Sequence, residues 1–539
     1  MANVLGIHGG VTLNQHEPAA ALAINGRIVA LCEEERYLRI KSAYGYLPEH
    51  AVRACLRMAG LRWEDVDLVV TPGLTYDHFE GRIRHWLCHH FGSAPPIERI
   101  HHQQAHLAAA FYGSGLEEAL CLSLDASGDG ACGMTARASR ESGISVLETL
   151  PAAQSIGYFY TLMTYYLGFG DGDEYKVMGL APYGTPNIDL APIMRPDSER
   201  GWVFDTGYLR QSPPTRSPFE PTYDSRLADF FGRPHRCPGA PLETFHKDLA
   251  ASTQAMFETC LLHLAGTLAA RAPGPRHLCY GGGTALNCAA NKTLVESGLF
   301  DSVYVSPVAS DRGLALGCAY TGAVMRGDKP WQLWIPYLGS SYADGAIAAE
   351  LAANGCRFEE IKDPAGTAAR LLAEGNILGW YQGRSEAGAR ALGNRSILAP
   401  CGDATMRDKV NARIKYREEF RPFAPAIPAE DAEEYFVTRG LSYPSMSVTV
   451  DARPDRADSI RAVVHADGTA RVQTVRSSDN ELFYDLLTRY RAETGVPVVL
   501  NTSFNLKGQP IVETPRDALM TFHGCGLDAL ILGPFLVRK

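Results

Sequence analysis

Short apolar runs separated by turn residues dominate the first part of the chain. Four of them have the pattern of buried strands: Val4–His8, Ala20–Ile24, Arg27–Cys32 and Leu68–Thr71. Asn25-Gly26 lies between the second and third runs, and an Asn-Gly pair in that position is a strong signal for a β-hairpin. Pro48–Ala59 has apolar residues at helical spacing and ends at Gly60. The pattern predicts a strand, a hairpin, a helix and a further strand.

Further along, two buried strands run directly into glycine loops. Ala119–Leu124 leads into Asp125–Gly130, and His277–Tyr280 leads into Gly281–Gly283. A third short strand, Val303–Val305, is followed by a helix from about Gly313 to Arg326. Glycine allows main-chain N–H groups to approach phosphate oxygens closely. Two similar halves with facing glycine loops would hold a nucleotide in the cleft between them.

The rest of the chain reads as a second α/β unit. Residues 186–245 are rich in Pro, Arg and Ser and predict an irregular insertion, and Gly327–Tyr342 reads as a linker. Beyond the linker the pattern predicts two helices and two strands: Asp344–Ala353, Ala365–Ala373, Ile377–Trp380 and Val498–Leu500. We therefore expect an α/β protein of two domains.

Composition narrows the class of protein. The chain has 539 residues, is 46% hydrophobic and carries a formal net charge of −9, which fits a globular protein and disfavours broad nucleic-acid binding. The 13 cysteines form no CxxC pair, so we expect neither a structural zinc site nor a disulfide framework. No signal peptide or membrane-spanning run is seen, and we expect a cytoplasmic protein without a membrane partner.

Two histidines and two aspartates suggest a metal site. If the segment after His101 is helical, His102 and His106 lie one turn apart on one face. Asp125 and Asp311 each follow a predicted strand and could supply oxygen ligands. A set of two histidines and two aspartates suits iron, manganese or zinc. The alternative is a pair of hydrogen-bonded histidines on a helix.

A basic cluster suggests a second site. It comprises Arg384, Arg390, Arg395, Arg407, Lys409, Arg413, Lys415, Arg417 and Arg421. Guanidinium groups suit a phosphate or carboxylate dianion. A salt-bridged, solvated helix face is the favoured interpretation for Arg407, Lys409 and Arg413, whereas Arg384, Arg390 and Arg395 are interleaved with glycines. Asn501 to Asn505 could line a ligand at a strand end or form a turn.

Taken together, these segments resemble the O-carbamoyltransferases of antibiotic biosynthesis and nodulation-factor modification. The matching stretches are His16-Glu-Pro-Ala-Ala, Glu33-Glu34-Glu35-Arg36 with Lys41, His102-x-x-x-His106, Leu124-Asp-x-x-Gly-Asp-Gly130, Lys176-Val-Met-Gly-Leu-Ala-Pro-Tyr-Gly184, Gly281-Gly-Gly-x-Ala-Leu-Asn287, Gly383-Arg-x-Glu-x-Gly-x-Arg-Ala-Leu-Gly-Asn-Arg-Ser396, Arg421-Pro-Phe-Ala-Pro425 and Asn501-Thr-Ser-Phe-Asn505. Two departures are visible: the family commonly has His-Asp where this chain has His16-Glu17, and the leading loop Gly9–Gln15 is longer.

The resemblance implies a fold and a set of site residues. Residues 1–335 would form a duplicated domain of the actin and heat-shock ATPase superfold, binding ATP, its magnesium and a metal that is usually iron. Residues 343–539 would resemble the carbamoyl-AMP synthase (YrdC-like) fold and take carbamoyl phosphate. The implied metal ligands are His102, His106, Asp125 and Asp311. The implied nucleotide site comprises Ser127, Gly128, Asp129, Gly130, Lys176, Gly281, Gly282, Gly283 and Asn287. Carbamoyl phosphate would be held by Arg390, Lys415, Arg421, Arg471 and Ser503, with His16 as the base and Lys41 as a nearby charge.

The implied activity is transfer of a carbamoyl group from carbamoyl phosphate, through an ATP-derived carbamoyl-adenylate, to a hydroxyl of an antibiotic or a glycosylated natural product. The resemblance allows a homo-oligomer. Two alternatives remain: threonylcarbamoylation of tRNA, against which the acidic balance and the fused second domain argue, and a nucleotide-switched regulatory ATPase. The hydrogenase-maturation carbamoyltransferase is disfavoured because it needs CxxC pairs.

Overall fold

The computed structural model describes residues 2–10, 15–198, 201–209, 225–272, 274, 276–330 and 336–539. Parts of the predicted leading loop Gly9–Gln15, of the insertion 186–245 and of the linker Gly327–Tyr342 lie outside the described residues. Contacts divide the chain into unit 1, Met1–Ile100 with Asp311–Lys539, and unit 2, His101–Ser310. The two domains predicted at 1–335 and 343–539 stay a prediction.

The first segment of unit 1 forms a five-stranded sheet. Its strands are β1 Asn3–His8, β2 Ala19–Ile24, β3 Arg27–Glu33, β4 Leu68–Pro72 and β5 Ile97–Ile100. Its helices are α1 Glu34–Leu38, α2 Glu49–Ala59 and α3 Phe79–Phe91. The strand order is β3-β2-β1-β4-β5, with an antiparallel meander followed by two parallel strands. The predicted hairpin at Asn25-Gly26 and the helix ending at Gly60 are both confirmed.

Unit 2 is built around a second five-stranded sheet. The strands of this sheet are β6 Glu118–Gly128, β7 Ala131–Ser139, β8 Gly143–Pro151, β11 His277–Gly281 and β12 Ser302–Val305, while β9 Met194–Asp197 and β10 Gly201–Phe204 form a separate two-stranded sheet of the unit. Its helices are α4 His102–Ser114, α5 Ile156–Tyr166, α6 Glu174–Leu180, α7 Arg226–Phe231, α8 Thr244–Arg271 and α9 Cys288–Glu296. The sheet order is β12-β11-β6-β7-β8. The prediction that 186–245 is irregular is wrong at three places, because β9 and β10 pair there as a short hairpin and α7 follows them.

The two five-stranded sheets repeat one topology. In each, the first three strands form an antiparallel meander and the last two add in parallel beside the first strand. A duplication is thus present, but the prediction of one glycine loop in each half is wrong, because both loops follow neighbouring strands of the second sheet, β6 and β11. The α/β class is confirmed, since both sheets are mixed and carry helices.

The second segment of unit 1 contributes a mixed eight-stranded sheet, in the order β13-β22-β21-β14-β15-β20-β16-β19. The eight strands of this sheet are β13 Phe358–Glu360, β14 Leu378–Tyr381, β15 Arg395–Pro400, β16 Ala424–Pro428, β19 Gln473–Val475, β20 Val499–Ser503, β21 Ala529–Leu532 and β22 Phe535–Arg538. Two further strands, β17 Val450–Asp451 and β18 Thr469–Ala470, form a separate two-stranded sheet. The helices are α10 Leu314–Met325, α11 Asp344–Ala353, α12 Pro364–Ala373, α13 Thr405–Val410, α14 Ala432–Tyr435, α15 Glu481–Thr494 and α16 Pro515–His523.

Separate apolar clusters support the two sheets of unit 1. Leu5 and Ile7 of β1 pack with Val52 and Cys55 of α2 beneath the first sheet. Trp380 of β14 packs with residues of α12 and α15, such as Phe483, beneath the eight-stranded sheet. These side chains are fully buried, and each contributes roughly 1.5–3 kcal/mol by leaving water. Within the described ranges, no helix combines the length and the apolar character that crossing a membrane requires.

Candidate metal centre and phosphate site

The candidate metal centre in unit 2 is formed by one helix and one strand. The ring of His101 caps α4 by accepting the N–H of Gln103 at 3.1 Å, and Asp129 Oδ2 accepts the N–H of His102 at 2.8 Å. These two bonds satisfy N–H groups that a helix start leaves without partners. The bond from His102 to Asp129 also holds the first turn of α4 close to the end of β6, the strand that carries Asp125. His102 and His106 follow on one face, as the sequence predicts.

Three potential ligand atoms meet at one point. His102 Nε2 lies 3.1 Å from Asp125 Oδ2, His106 Nε2 lies 3.2 Å from the same oxygen, and the two Nε2 atoms are 3.2 Å apart. Both histidines are buried, with 7% and 1% of their surface exposed. Ligand atoms bound about 2.1 Å from a shared ion lie about 3.0–3.4 Å from one another. The three residues therefore fit a divalent metal with mixed nitrogen and oxygen ligands.

Both glycine loops lie beside this centre, because β6 and β11 are parallel neighbours. Thr284 Oγ1 donates to the carbonyl of Leu124 at 2.8 Å, which joins the second loop to the end of β6. A side chain on Gly282 would meet that same carbonyl at 2.1 Å, and its φ of +90° is one that glycine adopts readily. The ends of two parallel strands are a frequent position for a bound ligand.

Gly128 makes room for a candidate ligand. A Cβ at this position would lie 2.2–2.4 Å from ring atoms of His102. We expect Gly128→Ala to displace that imidazole and lower the affinity for a divalent metal about 10–100-fold, the range for losing a group that orients a ligand. Metal titration by calorimetry measures the change. Gly266→Ala on α8 is the control, since a Cβ there meets nothing within 4 Å. Equal affinity in the two variants would contradict the assignment.

The other predicted nucleotide-site residues are held by neighbours in unit 2. Ser127 Oγ lies 2.6 Å from Tyr158 Oη, and Lys176 pairs with Asp173 at 2.9 Å. Asn287 caps α9 and exchanges two hydrogen bonds with Gln254. Gly130 and Gly281 lie at the two strand ends. Nucleotide contact by all of these residues stays a prediction.

The phosphate-site candidates in unit 1 centre on Lys415. This lysine ends a short π-helical turn, Asn411–Lys415, and only 6% of its surface is exposed. Its Nζ lies 2.8 Å from Asn505 Oδ1, 3.1 Å from the Asn505 carbonyl and 3.3 Å from Ser503 Oγ, and it also contacts the Ser503 carbonyl. Two predicted residues, Lys415 and Ser503, are thus brought together at the end of β20. Asn505, the last residue of the stretch Asn501–Asn505 that the sequence suggests could line a ligand, belongs to the same group.

The charges near Lys415 favour an anion. Burial, together with the nearby Arg417 and Arg421, lowers the pKa of the Lys415 ammonium well below its usual value. Arg421 is half-buried and lies 3.6 Å from Glu418. A bound dianion would reverse the shift, because it favours the charged ammonium. Arg421 and Lys415, both predicted to hold carbamoyl phosphate, therefore share one electrostatic environment.

Sulfate tests this coupling, since it stays dianionic throughout the neutral range. A lysine with a lowered pKa is charged below that pKa, so sulfate affinity should be highest at low pH. It should then fall as pH rises from the pKa of the free protein to that of the complex. Calorimetric titrations between about pH 6 and 9 measure the slope. Lys415→Arg should flatten it, because arginine stays charged. An unchanged slope in Lys415→Arg would assign the pH dependence to another group.

Arg471 has a neighbour that sequence reasoning missed. His465 Nδ1 lies 3.1 Å from Thr469 Oγ1, while its Nε2 is buried and has no hydrogen-bond partner in the described part of the chain. Burial, reinforced by Arg471, lowers the pKa of His465 to about 4. The Nε of Arg471 is likewise buried without a partner among the described residues. The only signal in the sequence was an isolated histidine six residues before Arg471.

Two arginines of the basic cluster bind main-chain carbonyls. Arg384 donates to the carbonyls of Leu338, Gly339 and Val29, and the fully buried Arg395 donates to those of Gln382, Ser340 and others while lying over the ring of Tyr381. Their interleaving with glycines thus reflects packing. The salt-bridged face predicted for Arg407, Lys409 and Arg413 is confirmed: they pair with Asp408, Asp403 and Asp528.

The remaining candidates lie in unit 1. The carbonyl of half-buried His16 is 3.0 Å from His8 Nε2, and that nitrogen is 3.5 Å from Asp311 Oδ2. The neighbours Glu17 and Arg312 form an ion pair, so the departure from His-Asp to His16-Glu17 keeps a carboxylate here. Lys41 is exposed and Arg390 half-buried. The roles of His16, Lys41, Arg390 and Asp311 stay predictions.

Comparisons with known proteins show a family resemblance along most of the chain. The model of the carbamoyltransferase N-terminus matches residues 80–320 and that of the carbamoyltransferase C-terminus matches 369–539. Nodulation protein NolNO of Sinorhizobium fredii is 37% identical, covering 97% of this chain and 79% of its own. NolO of Bradyrhizobium diazoefficiens is 39% identical over 82% of this chain and 79% of its own. An uncharacterised Synechocystis protein is 32% identical over 98% and 96%.

Solved structures are less similar. Component A of (R)-2-hydroxyglutaryl-CoA dehydratase from Acidaminococcus fermentans has a TM-score of 0.35 and 16% identity, covering 60% of this chain and all of its own. HypF of T. kodakarensis has a TM-score of 0.33 and 17% identity, covering 61% of this chain and 49% of its own.

Proposed function

Because this chain belongs to the carbamoyltransferase family, we propose that it transfers a carbamoyl group from carbamoyl phosphate to a hydroxyl group at the expense of ATP. The acceptor would be a secondary metabolite, either an antibiotic or a glycosylated natural product. The observation that carries the ATP-dependent form of the proposal is the meeting of His102, His106 and Asp125 beside two glycine loops at the ends of β6 and β11.

The donor half of the reaction would take place in the C-terminal part of unit 1. Lys415, Arg421 and Ser503, with Arg390 and Arg471 as further proposed members, would stabilise the charge on phosphate as water cleaves carbamoyl phosphate. The products are phosphate and carbamate. Carbamate loses carbon dioxide in water, so the protein must exclude solvent until the carbamate is used.

The nucleotide half would use the repeated five-stranded sheets, which we propose to be the actin and heat-shock ATPase superfold. A carbamate oxygen would attack the α-phosphorus of ATP, and pyrophosphate would leave with its magnesium. The product, carbamoyl-adenylate, has a far better leaving group than free carbamate. Main-chain N–H groups of Gly128, Gly130 and Gly281–Gly283, with Ser127 and Lys176, would position the phosphates.

His102, His106 and Asp125 would hold a divalent metal, with Asp311 as the proposed fourth ligand. Iron is our first choice and manganese or zinc the alternatives. When bound, such an ion supplies Lewis acidity at the nucleotide phosphates. In the last step the acceptor oxygen attacks the carbamoyl carbon and AMP leaves. His16 would take the hydroxyl proton, with the charge of Lys41 nearby.

The proposal is tested by incubating the full-length protein with ATP, carbamoyl phosphate and a panel of polyhydroxylated natural products. Mass spectrometry should show an acceptor that gains one carbamoyl group only when both ATP and carbamoyl phosphate are present. When tRNA and threonine are added to the same mixture, a threonylcarbamoyl group on the tRNA would favour the tRNA-modifying alternative. ADP and phosphate formed from ATP without any need for carbamoyl phosphate would favour a regulatory ATPase.

A further inference from the structure

The segment Glu33–Arg36 is charged throughout and yet buried. Its four side chains expose 4%, 1%, 7% and 2% of their surface, although such residues are almost never fully buried unless they are paired. Glu34 accepts the N–H groups of His50 and Ala51, and Glu35 accepts that of Ser42. Glu33 pairs with Arg312 and accepts the N–H of Gly388. These contacts account for the three carboxylates.

Arg36 is only partly accounted for. Its Nη2 donates to the carbonyl of Gly388 at 2.8 Å and to Glu33 Oε1 at 3.2 Å. Its Nη1 is 4.0 Å from Glu513 Oε2, which is beyond hydrogen-bond distance. Nε and Nη1 are both buried and find no hydrogen-bond acceptor among the residues that the structure describes. A buried guanidinium with two unused nitrogens, which carry three N–H donors, is costly, so something must accept from them.

Glu386 presents the complementary group. Its Oε1 accepts three main-chain N–H groups, from Leu392, Asn394 and Arg395, at 2.7, 2.7 and 3.1 Å. Its Oε2 is buried, and no donor reaches it from any described part of the chain. The residue is 1% exposed. One carboxylate oxygen thus fixes the loop between β14 and β15, and the other could accept hydrogen bonds from a ligand.

The carboxylate of Glu386 influences the guanidinium of Arg36 through its charge. Burial by itself would lower the pKa of Arg36, and the carboxylates of Glu33, Glu513 and Glu386 raise it above its usual value. Burial raises the pKa of the Glu513 carboxyl, and the charges of Arg395 and Arg36 oppose that rise. The Nε of Arg395 is also buried without a partner in the described ranges. Two guanidinium groups and the free oxygen of Glu386 therefore share one interior region of unit 1.

These unused atoms define the ligand that fits them. Two or three N–H donors require a carboxylate-like acceptor, and the Glu386 oxygen requires a donor on the same small molecule. Dianionic phosphate keeps one O–H donor, but its double negative charge would face the carboxylates of Glu386 and Glu513. Carbamate has both features, because its carboxylate can accept from Arg36 and its amino group can donate to Glu386.

We propose that Arg36 and Glu386 form an interior binding site for carbamate, the one-carbon product of the donor half-reaction. The inference rests on the proposed function, since it takes carbamate as an intermediate. The site would hold the carboxylate through Arg36 Nη1 and the amino group through Glu386 Oε2. No bond is made or broken there. Its contribution is to keep carbamate away from water until the ATP-dependent step.

Glu386→Gln is the sharpest variant. The amide oxygen can keep the three main-chain hydrogen bonds of Oε1, while the amide nitrogen puts a donor where Oε2 now accepts. We expect phosphate release from carbamoyl phosphate to stay within about twofold of the unaltered protein. The carbamoylated product formed per phosphate should fall about tenfold, the effect of about 1.4 kcal/mol. Ammonia should rise to match, since carbamate that escapes decomposes to ammonia and carbon dioxide.

Glu359→Gln, on an exposed position of β13, is the matched control and should keep the unaltered ratio of carbamoylated product to released phosphate. An unchanged ratio of product to phosphate in a Glu386→Gln protein that melts at the temperature of the unaltered protein would overturn the proposed carbamate site. If that variant does not fold, crystals of the unaltered protein soaked in bicarbonate decide. Bicarbonate is a stable carboxylate that carries an O–H donor. Planar density between Arg36 and Glu386 supports the site, and water alone contradicts it.

Failure of the proposed function would look different. In that case the unaltered protein would release no phosphate from carbamoyl phosphate, and the ratio of carbamoylated product to phosphate could not be measured. The bicarbonate soak would still report on the site, because it depends only on the donors of Arg36 and the acceptor of Glu386.

Discussion

His106→Ala should lose its divalent metal and form carbamoylated product on the order of 10³-fold more slowly, while still releasing phosphate from carbamoyl phosphate. The imidazole supplies one of the three ligand atoms that lie within 3.2 Å of one another in unit 2, so its loss removes a third of these ligands. Removing a preorganised charge-stabilising group typically costs 10²–10³ in rate, and a lost ligand should reach the upper end. Metal content by mass spectrometry and product formation are measured on the same sample.

The control for this variant is His85→Ala, which removes an exposed histidine on α3. It should retain both metal and activity. Asp125→Asn keeps the volume of the side chain and should also lower the metal content, which separates the loss of a ligand from the creation of a cavity. Product formation by a metal-free His106→Ala protein at the rate of the unaltered one would remove the metal from the account.

Arg421→Ala should block the other half of the reaction, with phosphate release from carbamoyl phosphate falling about 10–100-fold. Arg421 and Arg417 bring positive charge to the buried Lys415, which contacts Ser503 and Asn505. A hydrogen bond to a charged group contributes about 1.5–3 kcal/mol, which corresponds to this range. Phosphate release is followed by a colorimetric assay over a range of carbamoyl phosphate concentrations.

Arg407→Ala belongs to the same segment and pairs with Asp408 at 3.6 Å, so it should behave like the unaltered protein. Addition of guanidinium ion should partly restore the Arg421→Ala variant if a missing positive charge is the cause. Normal use of carbamoyl phosphate by Arg421→Ala would show that this arginine only forms a surface pair with Glu418.

Local patterns in the sequence sufficed for most of the elements near the sites. The Asn25-Gly26 turn, α2 and α11 were predictable because hairpin chemistry, helical spacing and Gly60 are signals carried by neighbouring residues. The strand before Asp125 was predicted to end at Leu124, whereas β6 continues to Gly128 through an irregularity in its pairing with β7. Only the partner strand reveals that continuation.

The metal centre was the part of the site most accessible from sequence. His102 and His106 are four residues apart, so a single helical assumption brings them together, and Asp125 directly follows the recognisable apolar run that ends at Leu124. The environment of Lys415 was less accessible, because its partners Ser503 and Asn505 lie almost ninety residues further along the chain. Arg384 and Arg395 were misjudged because composition does not reveal that a guanidinium will donate to carbonyls of a distant loop.

The most direct test of the account is whether AMP and pyrophosphate appear only when carbamoyl phosphate is supplied. The full-length protein is incubated with ATP and magnesium, with and without carbamoyl phosphate, and nucleotides are separated by chromatography. We expect equal amounts of AMP and pyrophosphate with carbamoyl phosphate and neither without it. Release of ADP and phosphate at the same rate in both samples would contradict the proposed carbamoyl-adenylate and the function built on it.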